Sequence, residues 1–143
     1  MLAQSASEDV LAFTADQGFP ELRHSHGYVF QHLMHGPISI NALAERLGMT
    51  PQGASKAIIE LEGMGFVRRV RVAADARTRL VELTERGQEA IDASRAARAE
   101  LNRRYRKLIG KKAHRQLMVA MRELAVKSGS LEKMSGRKMR PPQ

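Results

Sequence analysis

The sequence predicts a mainly α-helical fold carrying one small β-hairpin, on three observations. Apolar residues recur in steps of three and four through most of the chain, the spacing of a single helix face. Two short stretches, FVRRVRV at 66–72 and RTRLVEL at 77–83, alternate instead, as strands do. Glycines and hydroxyl or proline residues stand at the joins, where helices need caps and stops.

The first helix is read over residues 7–17, SEDVLAFTADQ, with Ser7 as its cap, Glu8 and Asp9 behind it, and Gly18 as its stop. From Pro20, suited to a first helical turn, Leu22, His26, Val29, Phe30 and Leu33 form the stripe of a second helix that ends at HGP, 35–37. Ser39 caps a third, in which Ile40, Leu43, Ala44 and Leu47 share a face, and Gly48 ends it. Only Met49 separates that glycine from Thr50, the cap of a fourth helix with Pro51 at its first position.

On the fourth helix, Ala54, Ala57, Ile58 and Leu61 fall on one face and Gln52, Gly53, Ser55, Lys56, Ile59 and Glu60 on the other. The two alternating strands follow, with AADA as the hairpin tip. Thr84 caps a long helix over about 85–109, whose Ala90, Ser94, Ala97, Leu101, Tyr105 and Leu108 repeat as a packing seam. After Gly110, Leu117, Ala120, Met121 and Leu124 mark a last helix ending near Lys127, and the tail 128–143 reads as a basic, disordered end.

Composition narrows the function. The 143 residues carry a net charge of +9, which favours a polyanionic partner, because cations that replace counterions on phosphates gain affinity by ion release. With no cysteine, disulfides, thiolate zinc and thiol redox chemistry are excluded. No apolar run approaches the ~20 residues of a membrane span and no secretory leader is visible, so a cytoplasmic protein with no membrane partner is expected. Phosphate-binding glycine loops, nucleophile elbows and His-Glu-x-x-His patterns are missing, which argues against an enzyme.

Two short helices joined by a glycine turn and followed by a basic hairpin make a winged helix-turn-helix, a unit that lays its second helix in the major groove of DNA. On that docking, Gln52 reads adenine through its amide, Ser55 meets a base edge or a phosphate, and Lys56 donates to guanine or to the backbone. Thr50 serves as a helix cap whose turn also favours a phosphate, and Gly53 lets the helix front lie close to DNA. Arg71 and Arg79 meet phosphates, while of Arg68 and Arg69 alternation allows only one on the DNA side.

The stretches GPISINALAERLGMTPQGASKAIIELEGMGFVRR and DARTRLVELTERG resemble the MarR family of bacterial transcriptional regulators. The family's wing pattern, Asp-x-Arg then Leu-Thr-x-x-Gly, is carried here by Asp75, Arg77, Leu83, Thr84 and Gly87. The resemblance implies that Arg77 reaches a minor groove, with Asp75 holding its guanidinium or fixing the turn. It further implies a homodimer built by N- and C-terminal helices, two lobes on a pseudo-palindromic site of double-stranded DNA, and often a small-molecule effector between lobe and dimer region. Ala76 departs from the arginine common beside the wing aspartate.

The layout that follows is a dimer-region helix at 1–18, the lobe at 19–87, C-terminal dimerisation helices at 88–127 and the tail at 128–143. Because the first helix reads as short, dimerisation is expected to rest on 88–127. A winged-helix protein-interaction module, favoured by exposed Ile59 and Glu60, and a non-specific architectural DNA binder stay open as alternatives. His24, His32 and His35 share a face of the second helix, but His24 and His35 stand ~16 Å apart along the axis, too far to meet at one metal ion. They are expected to be solvated or ligand-contacting rather than metal-bound, and no cofactor is expected.

Overall fold

The computed structural model describes residues 2–72 and 75–128, with side-chain surroundings given from residue 5 onward except over 72–78. Its elements are α1 (Leu2–Asp16), α2 (His24–Leu33), β1 (Ile38–Ser39), α3 (Ile40–Leu47), α4 (Pro51–Gly63), β2 (Val67–Val72), β3 (Asp75–Leu83), α5 (Glu85–Ile109) and α6 (Lys111–Lys127). The mainly helical class and the hairpin are as the periodicities predict. The calls on Ala73, Ala74 and the tail 129–143 lie outside the described residues.

Two helix starts, the start of β3 and the strand count differ from the sequence reading; β3 begins at Asp75, so Asp75 and Ala76, read as hairpin tip, lie in the strand. α1 begins at Leu2, not Ser7, since nothing in LAQSA interrupts a helix and a serine does not have to be a cap. It is therefore 15 residues long and packs along α5. α2 begins at His24 rather than Pro20, because residues 19–22 close a turn with the Leu22 amide on the Phe19 carbonyl. The hairpin gains a third strand: Ile38 and Ser39 pair antiparallel with Val81 and Leu80, giving the order β1-β3-β2. Two residues are too few to show alternation, so this strand has no sequence signal.

The caps work as read. Ser39 accepts the Ala42 amide, Thr50 the Gly53 amide and Thr84 the Gly87 amide, at 3.2, 3.1 and 3.1 Å. Gly48 closes α3 in the left-handed region, φ 65° and ψ 38°, and turns the chain towards α4 within two residues. Phe66, Leu43, Leu47, Ile58, Leu61, Val29, Val67 and Val81 are fully buried and belong to the core that α2, α3, α4 and the sheet share. Phe66 is central, edge-on to Phe30 at 5.8 Å and tilted against Phe19 at 6.2 Å, with the Arg86 guanidinium 5.0 Å above its ring.

The C-terminal half is packed differently. Ala90, Ile91 and Ala97 of the α5 seam are buried, Leu101 and Tyr105 are half-buried, and Leu108 is 79 % exposed. On α6, Leu117, Met121 and Leu124 are all exposed, Leu124 by 67 %. The stripe predicted from spacing is present on this helix, but no described residue covers it.

Candidate nucleic-acid interface

The recognition surface starts from how α4 is anchored. Ala54, Ile58 and Leu61 are buried, while Gln52 and Lys56 are exposed and Gly53 and Ser55 are half-exposed, so the face assignment read from the sequence is the one observed. Ala57, placed with the inner face, is only half-buried. Gln52, Lys56 and Glu60 follow one another at i, i+4 and i+8, a single row along the outside of the helix. Lys56 has no ion-pair partner among the described residues. At Gly53, a side chain would meet Met49 Cε and Thr50 Oγ1 at 3.3 Å, so close packing in the turn is a second reason for glycine there.

The hairpin continues this surface. Val67, Arg69, Arg71, Arg79 and Val81 share one side of the sheet, with Arg69 opposite Val81 and Arg71 opposite Arg79. Two exposed arginines at one cross-strand position repel each other, a weakly destabilising arrangement unless an anion lies between them. Neither has an ion-pair partner among the side chains described. Asp75 and Arg77 lie in β3, with Asp75 paired to Val72 across the bulge, and their side chains fall outside the described residues.

Arg68 and Arg69 behave otherwise. Alternation sends them to opposite sides, but each is occupied: Arg68 Nη2 sits 2.7 Å from Glu82, its cross-strand partner, and Arg69 Nε 3.3 Å from Glu62 at the end of α4. Their charge is used inside the lobe. Glu60, read from the sequence as an exposed acid, is also engaged, with Arg23 Nη1 3.1 Å from its carboxylate. Sequence reasoning missed Arg23 because it precedes α2 and belongs to no periodic stripe.

The histidines need one correction. His24 and His35 are exposed, but His32 is only 8 % exposed and is not a solvated residue. Burial, reinforced by Arg46 and His35, holds its pKa below the ordinary imidazole range. His26 is buried as the stripe predicts, at 4 % exposure, and burial lowers its pKa as well, with Glu60 opposing and Arg23 adding to the shift. Among the described residues no group of three or more histidines or carboxylates is placed to hold a metal ion.

Between the lobe and α5 lies a cavity of about 230 Å³, lined among others by Phe30 and Met34 from α2 and Ile91, Ser94, Arg95 and Arg98 from α5. Arg95 is fixed by Asp92 at 2.9 Å and reaches the Met34 sulfur at 3.3 Å. No helix among the described residues is long and apolar enough to cross a membrane.

A helix pair hinged on a left-handed glycine, with a basic three-stranded wing against its second helix, is a winged helix-turn-helix. The family model described as MarR family matches residues 22–78, the stretch from just before α2 into β3. The fold is shared with the YusO protein from Bacillus subtilis, at TM-score 0.73 and 22 % identity over 87 % of this chain and 86 % of that one. It is shared with RV1404 from Mycobacterium tuberculosis, at 0.71 and 22 % over 87 % and 88 %. A mutant of S. aureus MepR, solved bound to an oligodeoxyribonucleotide, superposes at 0.69 and 16 % identity over 89 % and 92 %. Among curated proteins no sequence relative is found.

Proposed function

We propose that this protein is a cytoplasmic, sequence-specific DNA-binding transcriptional regulator that acts as a homodimer on a pseudo-palindromic operator and is a repressor released by a small ligand. The observation that carries the reading is the distribution of charge. Lys56 on α4 and Arg71 and Arg79 in the wing are exposed and have no acidic partner among the side chains described, whereas Arg23, Arg68 and Arg69 are neutralised within the lobe. Cations left unpaired along one surface fit phosphates, and the row from Gln52 to Lys56 fits base edges. Thr50, Gly53 and Ser55 shape the helix front, and Asp75 and Arg77 extend the surface along the wing.

Support for the dimer is the uncovered stripe on α6 together with Leu108 and Ile109, a surface a second copy would bury. With α1 packed against α5, residues 1–18 and 88–127 both belong to the proposed dimer region, which widens the earlier expectation that dimerisation would rest more on 88–127. The two recognition helices would then stand about 34 Å apart. The cavity supports the effector: Phe30, Met34 and Ile91 suit an apolar body, and Arg95 and Arg98 suit an anionic group.

The second reading, a protein-interaction module, keeps one support in Ile59, 58 % exposed on the outer face of α4. Glu60 no longer favours it, since Arg23 holds that carboxylate. Titrating the chain's own promoter DNA against a scrambled duplex at two salt concentrations separates the readings. Preference for the promoter, weakening with salt, supports the regulator. Equal affinity for both duplexes rejects sequence-specific regulation, and salt-insensitive binding points to the protein module.

A further inference from the structure

His26 occupies the third position of α2, and its ring is held by a cap on one side and faced by a charge on the other. Its Nδ1 accepts the Arg23 amide at 3.2 Å, the role a Glu or Gln plays at this place in a capping box. A nitrogen that accepts carries no proton, so the neutral ring has its hydrogen on Nε2. That Nε2 is buried without a hydrogen-bond partner, 3.9 Å from Glu60 Oε1. The same oxygen takes Arg23 Nη1 at 3.1 Å. One carboxylate, in the outer row of the recognition helix, thus has two nitrogen neighbours, of which the arginine is charged and the imidazole is not.

The proton bookkeeping follows from the ring. Only Nδ1 has a lone pair to take a proton, and that lone pair now accepts the Arg23 amide. A proton there ends the cap and leaves a cation whose Nε2–H faces Glu60. The carboxylate is then compensated by His26, and Arg23 loses both its amide acceptor and its hold on Glu60. We propose that Arg23 is a phosphate-binding residue kept in reserve by Glu60, and that His26 is the positioning residue that releases it on taking up a proton.

This rests on the DNA-binding reading given above. A phosphate that draws Arg23 from Glu60 removes a cation from beside His26 and leaves the carboxylate to it, so DNA favours the protonated ring. By linkage, affinity rises as pH falls. The charged groups acting on His26 are Glu60 from α4 and Arg23 at the start of its own helix. α3 and β3, which also pack on α2, bring Leu43, Leu47 and Val81 into the shared core, while Glu45, Arg46 and Arg79 are exposed and Glu82 is paired with Arg68.

The test uses the full chain and a short mixed-sequence DNA duplex, with anisotropy read from about pH 8 to about pH 5.5 at constant salt. His26→Gln keeps the cap acceptor but cannot titrate. Wild type should gain about threefold to tenfold more affinity over this range than His26→Gln, and Arg23→Ala should lose the same extra gain. An equal gain in wild type and His26→Gln overturns the proposal. In parallel, the His26 ring is titrated by NMR in the free protein: Glu60→Gln should move its midpoint to lower pH, and an unmoved midpoint overturns the coupling without reference to DNA. If no duplex is bound at any pH, the DNA reading itself fails, and the assignment of Arg23 with it.

Discussion

Replacing Gly87 with alanine should destabilise the protein by about 2 kcal/mol, because α5 starts against the backbone that ends α4. A Cβ at Gly87 would lie 2.1 Å from the Phe66 carbonyl oxygen and 3.1 Å from Leu83 Cδ2. The carbonyl cannot move freely. The same carbonyl accepts the Thr84 amide at 3.0 Å, and Thr84 is the cap of α5, bonded through its hydroxyl to the Gly87 amide at 3.1 Å. Relief requires roughly 1 Å of backbone displacement, which costs about 1–3 kcal/mol as overpacking and about 1 kcal/mol for the weakened hydrogen bond. The better helix propensity of alanine offsets up to about 1 kcal/mol of this.

Urea unfolding followed by circular dichroism measures the difference, with Gly63→Ala as the control. A side chain at Gly63 would meet nothing within 4 Å, and Gly63 has ordinary helical geometry, so that substitution should be neutral or stabilising by up to about 1 kcal/mol. A Gly87→Ala variant within about 0.5 kcal/mol of wild type would refute the close-approach argument.

Thr50→Ala should cost about 1 kcal/mol by removing the α4 cap, while Thr50→Ser stays near wild type; equal losses in denaturation would show that the hydroxyl is not what matters. Arg79→Thr should stabilise the free protein by about 0.2–1 kcal/mol, since it ends the repulsion from Arg71, and should weaken DNA binding with a shallower salt dependence. A thermal melt and a salt titration read the two effects, and a drop in both stability and salt-independent affinity would contradict the assignment. Stability should also fall on acidification below about pH 7. Burial holds the folded pKa values of His26 and His32 below the ordinary imidazole value of about 6.5, so the unfolded chain binds protons first and the stability present above that value is lost as pH falls towards the folded values. Urea midpoints taken at intervals down to about pH 5.5 check this, and a flat or rising profile would sink it.

Much of the lobe was legible without coordinates because its signals are local. A cap depends on one hydroxyl and the amide three residues on, so Ser39, Thr50 and Thr84 could be placed from sequence. The two faces of α4 follow from helical period alone, which is why Gln52 and Lys56 were found outside and Ile58 and Leu61 inside. Charge, by contrast, could be counted but not allocated. Arg68, Arg69, Arg71 and Arg79 are alike as letters, and only the fold puts Glu82 and Glu62 beside the first two while leaving the other pair opposite each other.

The sequence by itself determined the class of the fold, the helix-turn-helix with its wing, and the face of the recognition helix, since periodicity and capping act within a few residues of the chain. The tertiary structure decided what depends on contacts across the chain. It paired the two-residue strand at Ile38 with β3, buried His32, and brought Arg23, just before α2, and His26 on α2 to Glu60 on α4. Ion pairing and desolvation fall steeply with distance and depend on burial, so which cations are left without an acidic partner is set by the folded arrangement and not by their number.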